Sequence, residues 1–158
     1  MALLAGLLVA LGGCRSKKEV AEGEEATAMP CPPIRDVAPQ VLLMNFEFFD
    51  NDSLQMLNTA MNTARLRNRG DEAEPAVGDL VFSFQTASRE ECTRVVVPNP
   101  LVRQVEFSED RRQLETRTIE LEVAIFSVRV QFHPNMRYLQ VDRLTPEGMK
   151  PIRTLLLH

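Results

Sequence analysis

Tryptophan is absent from these 158 residues, tyrosine occurs once, at Tyr138, and histidine twice, at His133 and His158. A platform for stacking sugars or bases would have to be built from the eight phenylalanines, which suit a core better than a platform. His133 sits beside Pro134 at a turn and His158 is the last residue. Neither has a nearby serine or cysteine in a nucleophile motif, so general-base and covalent catalysis have few candidates. No His/Cys cluster has zinc spacing. Asp50-Asn51-Asp52 begins like a calcium loop, but Leu54 stands where the third ligand belongs, which excludes an EF-hand. Asp50 and Asp52 then read as an Asx turn capping a helix, with an irregular calcium site as the lesser alternative. Positive charge is also short: 18 Lys and Arg against 22 Asp and Glu leave a net charge of −4. No basic patch large enough to displace counterions from a phosphate backbone is visible, so nucleic acid is not an expected partner. No cofactor or metal is expected.

What is present begins with residues 2–11, Ala-Leu-Leu-Ala-Gly-Leu-Leu-Val-Ala-Leu, a continuous apolar run followed by Gly12, Gly13 and Cys14. As a helix, Ala2 to Gly13 would reach only about 18 Å, against a hydrocarbon core of roughly 30 Å. That suits the apolar segment of a secretion signal better than a membrane span. Leu11-Gly12-Gly13-Cys14 resembles the lipobox of bacterial lipoproteins, a leucine and two small residues before a cysteine. The resemblance implies cleavage before Cys14, diacylation of its thiol with palmitate-like chains, and further acylation of the freed amine. Two or three chains anchor stably where one is marginal. No Lys or Arg precedes the run, whereas such leaders normally begin with one or two; either the start lies upstream or the α-amino group supplies the charge.

Removing a lipidated Cys14 from the three cysteines leaves Cys31 and Cys92. In an oxidising envelope compartment this pair is expected to be bridged, closing a loop of about 60 residues worth roughly 4 kcal/mol in the chain-entropy model. The alternative is two unrelated thiols, one in a linker and one at a strand edge. Residues 1–13 are thus read as signal peptide and 14–39 as a lipidated, charged and then proline-rich tether. Arg15 stands where an aspartate would mark inner-membrane retention in enterobacterial lipoproteins, so the resemblance implies the outer membrane.

Residues 40–158 are read as one domain. Period-two alternation dominates: Leu42, Met44, Phe46 and Phe48 on one face of Val41–Phe49; Leu80, Phe82 and Phe84 in Leu80–Thr86; Val105 and Phe107 inward in Leu101–Phe107. Leu114–Phe132 changes phase. Ile119, Leu121, Val123 and Ile125 lie on one parity, and Ala124, Phe126, Val128, Val130 and Phe132 on the other. This demands a bulge or a passage between sheets. Arg137–Leu144 and Ile152–Leu157 supply the last strands. One segment breaks the pattern: Asp52-Ser53 followed by Leu54, Leu57, Met61 and Ala64 predicts a short helix, though Asn58, Thr59, Asn62 and Thr63 are poor helix formers. Asn68–Asp79 reads as a long exposed loop. The expected fold is mainly β, a two-sheet antiparallel sandwich of immunoglobulin-like or transthyretin-like type with one helical insertion.

Glu120 and Glu122 read as neighbours on a strand's outer face, and Arg129, Arg137 and Arg143 as ion pairs or a modest recognition patch. The expected function is non-enzymatic: a membrane-tethered envelope lipoprotein engaging a protein partner, as a binding protein or an accessory subunit of an envelope assembly. In outline, a small sandwich with a helical insertion is similar to the outer-membrane lipoproteins of contractile secretion machines, though no motif of theirs is present. The alternatives are an envelope inhibitor or immunity protein acting through loop 68–79 and, further off, a hydrolase built around His133. Ile152–Leu157 reads either as a strand for partner augmentation or as the domain's own closing strand. Lipidation has a direct check: Cys14→Ser should abolish acyl labelling and release the protein from membranes, whereas an uncleaved, membrane-bound variant would make the leader an anchor.

Overall fold

The computed structural model describes residues 31–32, 38–67, 74–110 and 113–157; the leader, Cys14 and most of the tether lie outside the described residues. Nine strands follow in order: β1 Gln40–Phe49, β2 Leu54–Thr63, β3 Leu80–Gln85, β4 Glu91–Val97, β5 Val102–Asp110, β6 Gln113–Glu120, β7 Val123–Gln131, β8 Tyr138–Thr145 and β9 Gly148–Leu156. They form a three-stranded sheet, β2-β1-β7, a four-stranded sheet, β4-β3-β8-β9, and a separate β5–β6 hairpin, with every pair antiparallel. This is a mainly-β sandwich, as the alternation implies.

Alternation in β1 places Leu42, Met44, Phe46 and Phe48 inside, and in β3 it does the same for Leu80, Phe82 and Phe84. β7 adds Ala124, Val128 and Val130 to this core, and β8 adds Leu139 and Val141. Three rings bridge the sheets. Phe46 lies 5.2 Å from Phe82 and 5.9 Å from Phe126 between centroids, and Phe82 meets Phe126 edge-on at 6.0 Å. Tilted and edge-on geometries at these separations are the favourable ones for aromatic quadrupoles.

The expected helical insertion is not there: residues 54–63 are β2, an edge strand paired with β1 along its whole length. The spacing of Leu54, Leu57 and Met61 misled because β2 carries a bulge. Asn45 opposes Asn58 and Phe46 opposes Met56, so Leu57 is the extra residue and the parity shifts across it. Leu54 is buried and Met56 packs on the core, whereas Leu57 and Met61 are more than two-fifths exposed. Asparagine and threonine add little to a helix, and the ladder to β1 satisfies the backbone instead. The supposed helix cap is the β1–β2 turn: Asn51 Oδ1 accepts from Ser53 N at 3.0 Å, and Asp52 takes a left-handed φ of 65°.

The phase change in Leu114–Phe132 resolves by a passage between sheets. β6 ends at Glu120, the chain bends at Leu121-Glu122, and β7 begins a new sheet. The C-terminal segment closes the domain's own sheet: β9 pairs with β8, and Ile152, Leu155 and Leu157 pack against the core. Gly78, at φ 97°, ends the 68–79 loop where an added Cβ would stand 2.8 Å from Asn99 Nδ2, so no larger residue fits without displacing that side chain.

Phe82→Ala should destabilise the domain by about 3–5 kcal/mol in chemical denaturation, because it empties the centre of the inter-sheet cluster. Met61→Ala on the exposed part of β2 should change stability by less than about 0.5 kcal/mol.

Candidate interaction surface

The residues singled out in the sequence separate into structural ties that do not converge on one chemical site. Cys31 and Cys92 stand at disulfide distance, with Cα atoms 5.1 Å apart, and join the segment that precedes β1 to β4. His133 is engaged at both ring nitrogens. Nδ1 accepts from Asn135 N at 3.0 Å, so the proton sits on Nε2, which donates to Pro32 O at 3.0 Å. The ring thus holds the disulfide-bearing arm against the β7–β8 turn. Beside it lies an open cleft of about 850 Å³, whose walls include Arg65, Arg67, Cys92 and His133.

Asp52 has a different role from cap or calcium ligand. Its Oδ1 accepts from Arg143 on β8, and its Oδ2 accepts from Lys150 Nζ on β9 at 2.6 Å. One carboxylate in the β1–β2 turn therefore clips the edge of the opposite sheet. Arg153 of β9 donates to Leu54 O alongside it, and the Arg143 guanidinium lies 5.7 Å from the Phe48 ring. Burial alone would push the Asp52 carboxyl up, but hydrogen bonds from Lys150 and Arg143 and their charges outweigh it and hold the group below its ordinary value of 3.8.

The other candidates disperse. Arg137 donates to the carbonyls of Pro134 and Met136 at 2.7 and 3.0 Å, Arg143 belongs to the Asp52 clip, and Arg129 lies on the outer face of β7 opposite Leu43. Glu120 and Glu122 do not share a strand, since Glu120 ends β6 and Glu122 sits in the bend. Among the described residues, no group of three or more His, Cys, Asp and Glu side chains could hold a metal ion. Of loop 68–79, residues 68–73 lie outside the described residues. Its end is pinned by Asp79, which accepts from Ala76 N at 2.8 Å and Asn99 N at 2.9 Å.

The surface the sequence did not disclose is the β5–β6 hairpin. Val105 and Phe107 alternate as expected, but the core they were expected to face is not there. Among the described residues the hairpin pairs only with itself and belongs to neither sheet of the sandwich; it is rooted where Leu121 N donates to Leu101 O at 2.8 Å. Leu101 is buried at this root, while Phe107 and Ile119 are each 38% exposed. Opposed residues share a face, so Arg103/Ile119, Val105/Arg117 and Phe107/Glu115 form one side and Val102/Glu120, Gln104/Thr118 and Glu106/Thr116 the other. The first side carries Val105, Phe107 and Ile119 with two arginines and Glu115; the second carries Val102 with polar residues and two glutamates. On the first, Arg117 lies 5.5 Å from the Phe107 ring and pairs with Glu115 at 3.6 Å. The one signal for this in the sequence is its surplus of apolar parities: Val105/Phe107 and Ile119/Leu121/Val123/Ile125 exceed what one core can take.

Compared with known proteins, the chain matches no family model, no curated protein and no solved structure.

The Asp52 clip gives a pH prediction. A carboxyl held below its unfolded value stabilises the fold above that value, and the contribution is lost as pH falls through the folded one. Asp52→Asn should therefore cost about 1–2 kcal/mol at neutral pH, with the solvent-exposed Lys150 arm supplying the smaller part. The gap between wild type and variant should close below about pH 4 in denaturation curves taken at falling pH.

Proposed function

We propose that this chain is a lipid-anchored protein of the bacterial cell envelope, held through acyl chains on Cys14, most simply at the outer membrane. Its β-sandwich works by binding, as an accessory subunit of an envelope assembly, and not by catalysis. The observation that carries the binding role is the β5–β6 arm. A two-stranded ribbon without a third layer is marginal in water, yet this one presents Val105, Phe107 and Ile119 on one side with neither sheet of the sandwich paired to it. A side chain as large as phenylalanine kept 38% exposed on a projecting arm is the pattern of a contact residue.

The address is supported by residues 2–14, which combine an apolar run of sub-membrane length with Leu-Gly-Gly-Cys, and by the charged spacer that follows. A bridge between Cys31 and Cys92 suits the oxidising compartment that address implies. The spacer would hold the sandwich off the bilayer and leave the arm free to reach a neighbour.

A photo-crosslinking residue at Phe107 should yield a protein adduct in intact cells, whereas one at Gln104, on the opposite side of the arm, should yield none. Absence of any adduct at Val105, Phe107 and Ile119 would remove the binding role of the arm. Excising residues 102–120 and joining Leu101 to Leu121 through a glycine pair should leave the sandwich folded. Its melting temperature should stay within a few degrees of wild type, since the arm contributes almost nothing to the core.

A further inference from the structure

Beside the arm's root lies another exposed apolar surface of the described chain, the outer face of the three-stranded sheet, where Val123 is 43% and Ile125 61% exposed. Register places Val123 beside Phe49 and Ile125 beside Glu47, and Glu122 precedes them in the bend. This patch joins apolar side chains to the carboxylates of Glu47 and Glu122, while the arm's first side joins apolar side chains to Arg103, its Arg117 being paired with Glu115. The two match in hydrophobicity, and Arg103 opposes the carboxylates in charge. The arm does not pack on the patch of its own chain: β6 and β7 part company at the bend, and the arm forms a sheet of its own.

From these matching surfaces we infer that the chain forms a two-fold dimer in which the Val105, Phe107 and Ile119 side of each arm lies on the Val123–Ile125 patch of the second copy. The inference rests on the reading of the arm as the binding element and names its occupant. A two-fold arrangement makes the same contact twice and closes, so no arm or patch is left to propagate a fibre. The patch adjoins the root of the arm, so an axis passing near both roots brings each arm across its neighbour's patch. Arg103, next to Ile119 at the root end of β5, then faces the glutamate-bearing bend of the second copy.

The test is the mass of the full-length chain, extracted from membranes in detergent, by light scattering with the detergent contribution subtracted. The expected result is a dimer. Phe107→Ser and Ile125→Ser should each weaken self-association by about tenfold or more. Both replace exposed side chains, and an unchanged melting curve shows that the fold survives. Arg103→Glu and Glu122→Lys should each weaken it as well, and the double variant should regain association, which a merely structural defect would not produce. A monomer at all concentrations, a dimer indifferent to Phe107→Ser and Ile125→Ser, or a double variant with no recovery would each overturn the inference. A monomer whose Phe107 still crosslinks to a different envelope protein sinks the dimer and leaves the binding role standing; a monomer with no crosslink sinks both.

Discussion

The contact between Phe46 and Phe82, 5.2 Å between ring centroids, is where the two sheets meet, and the placement of everything else follows from it. Phe46 is central in β1 and Phe82 central in β3, and each strand is flanked on both sides within its sheet. Burying this pair, with Phe126 beside it, aligns the inner faces and fixes the parity of every neighbouring strand. Since a one-residue slip would turn a strand's apolar set to solvent, the register of β1, β3, β7 and β8 is held by the same packing. Full burial of each such side chain is worth roughly 1.5–3 kcal/mol.

Beyond that centre the sandwich is tied at two places by unlike means. At one end Cys31 and Cys92, together with the His133 bond to Pro32, secure the entering chain. At the other, Asp52 accepts from Arg143 and Lys150 across the gap between the sheets. Neither tie demands a functional explanation, and both use residues that look chemically suggestive in isolation. The sheet edges are managed unequally. β9 carries Lys150, Pro151, Arg153 and a register shift, all devices that discourage a further strand. β2, from Leu54 to Thr63, has no charged residue and relies on its bulge at Leu57.

The β5–β6 arm stands outside this economy of burial. Its ribbon is amphipathic, yet neither sheet of the sandwich is paired to it, and the outer patch at Val123 and Ile125 is exposed as well. Both surfaces lie open on one chain, and a third layer is what normally makes a two-stranded ribbon persist. Such an arm is suited to assembly with neighbours, and the proposed anchor would concentrate the protein where those neighbours are.

By itself the sequence determined the β class and the inward faces of β1 and β3, because period-two alternation is a local property that survives without knowledge of partners. Only the tertiary structure decided that Leu54–Thr63 is a strand, since a bulge mimics helical spacing and the ladder to β1 overrides weak propensity. Only it placed Val105 and Phe107 on an arm, since alternation records that a face is apolar and not what lies against it. For the same reason Asp52, which lies 91 residues from Arg143 and 98 from Lys150 in sequence, joined them in one clip only when the two sheets closed.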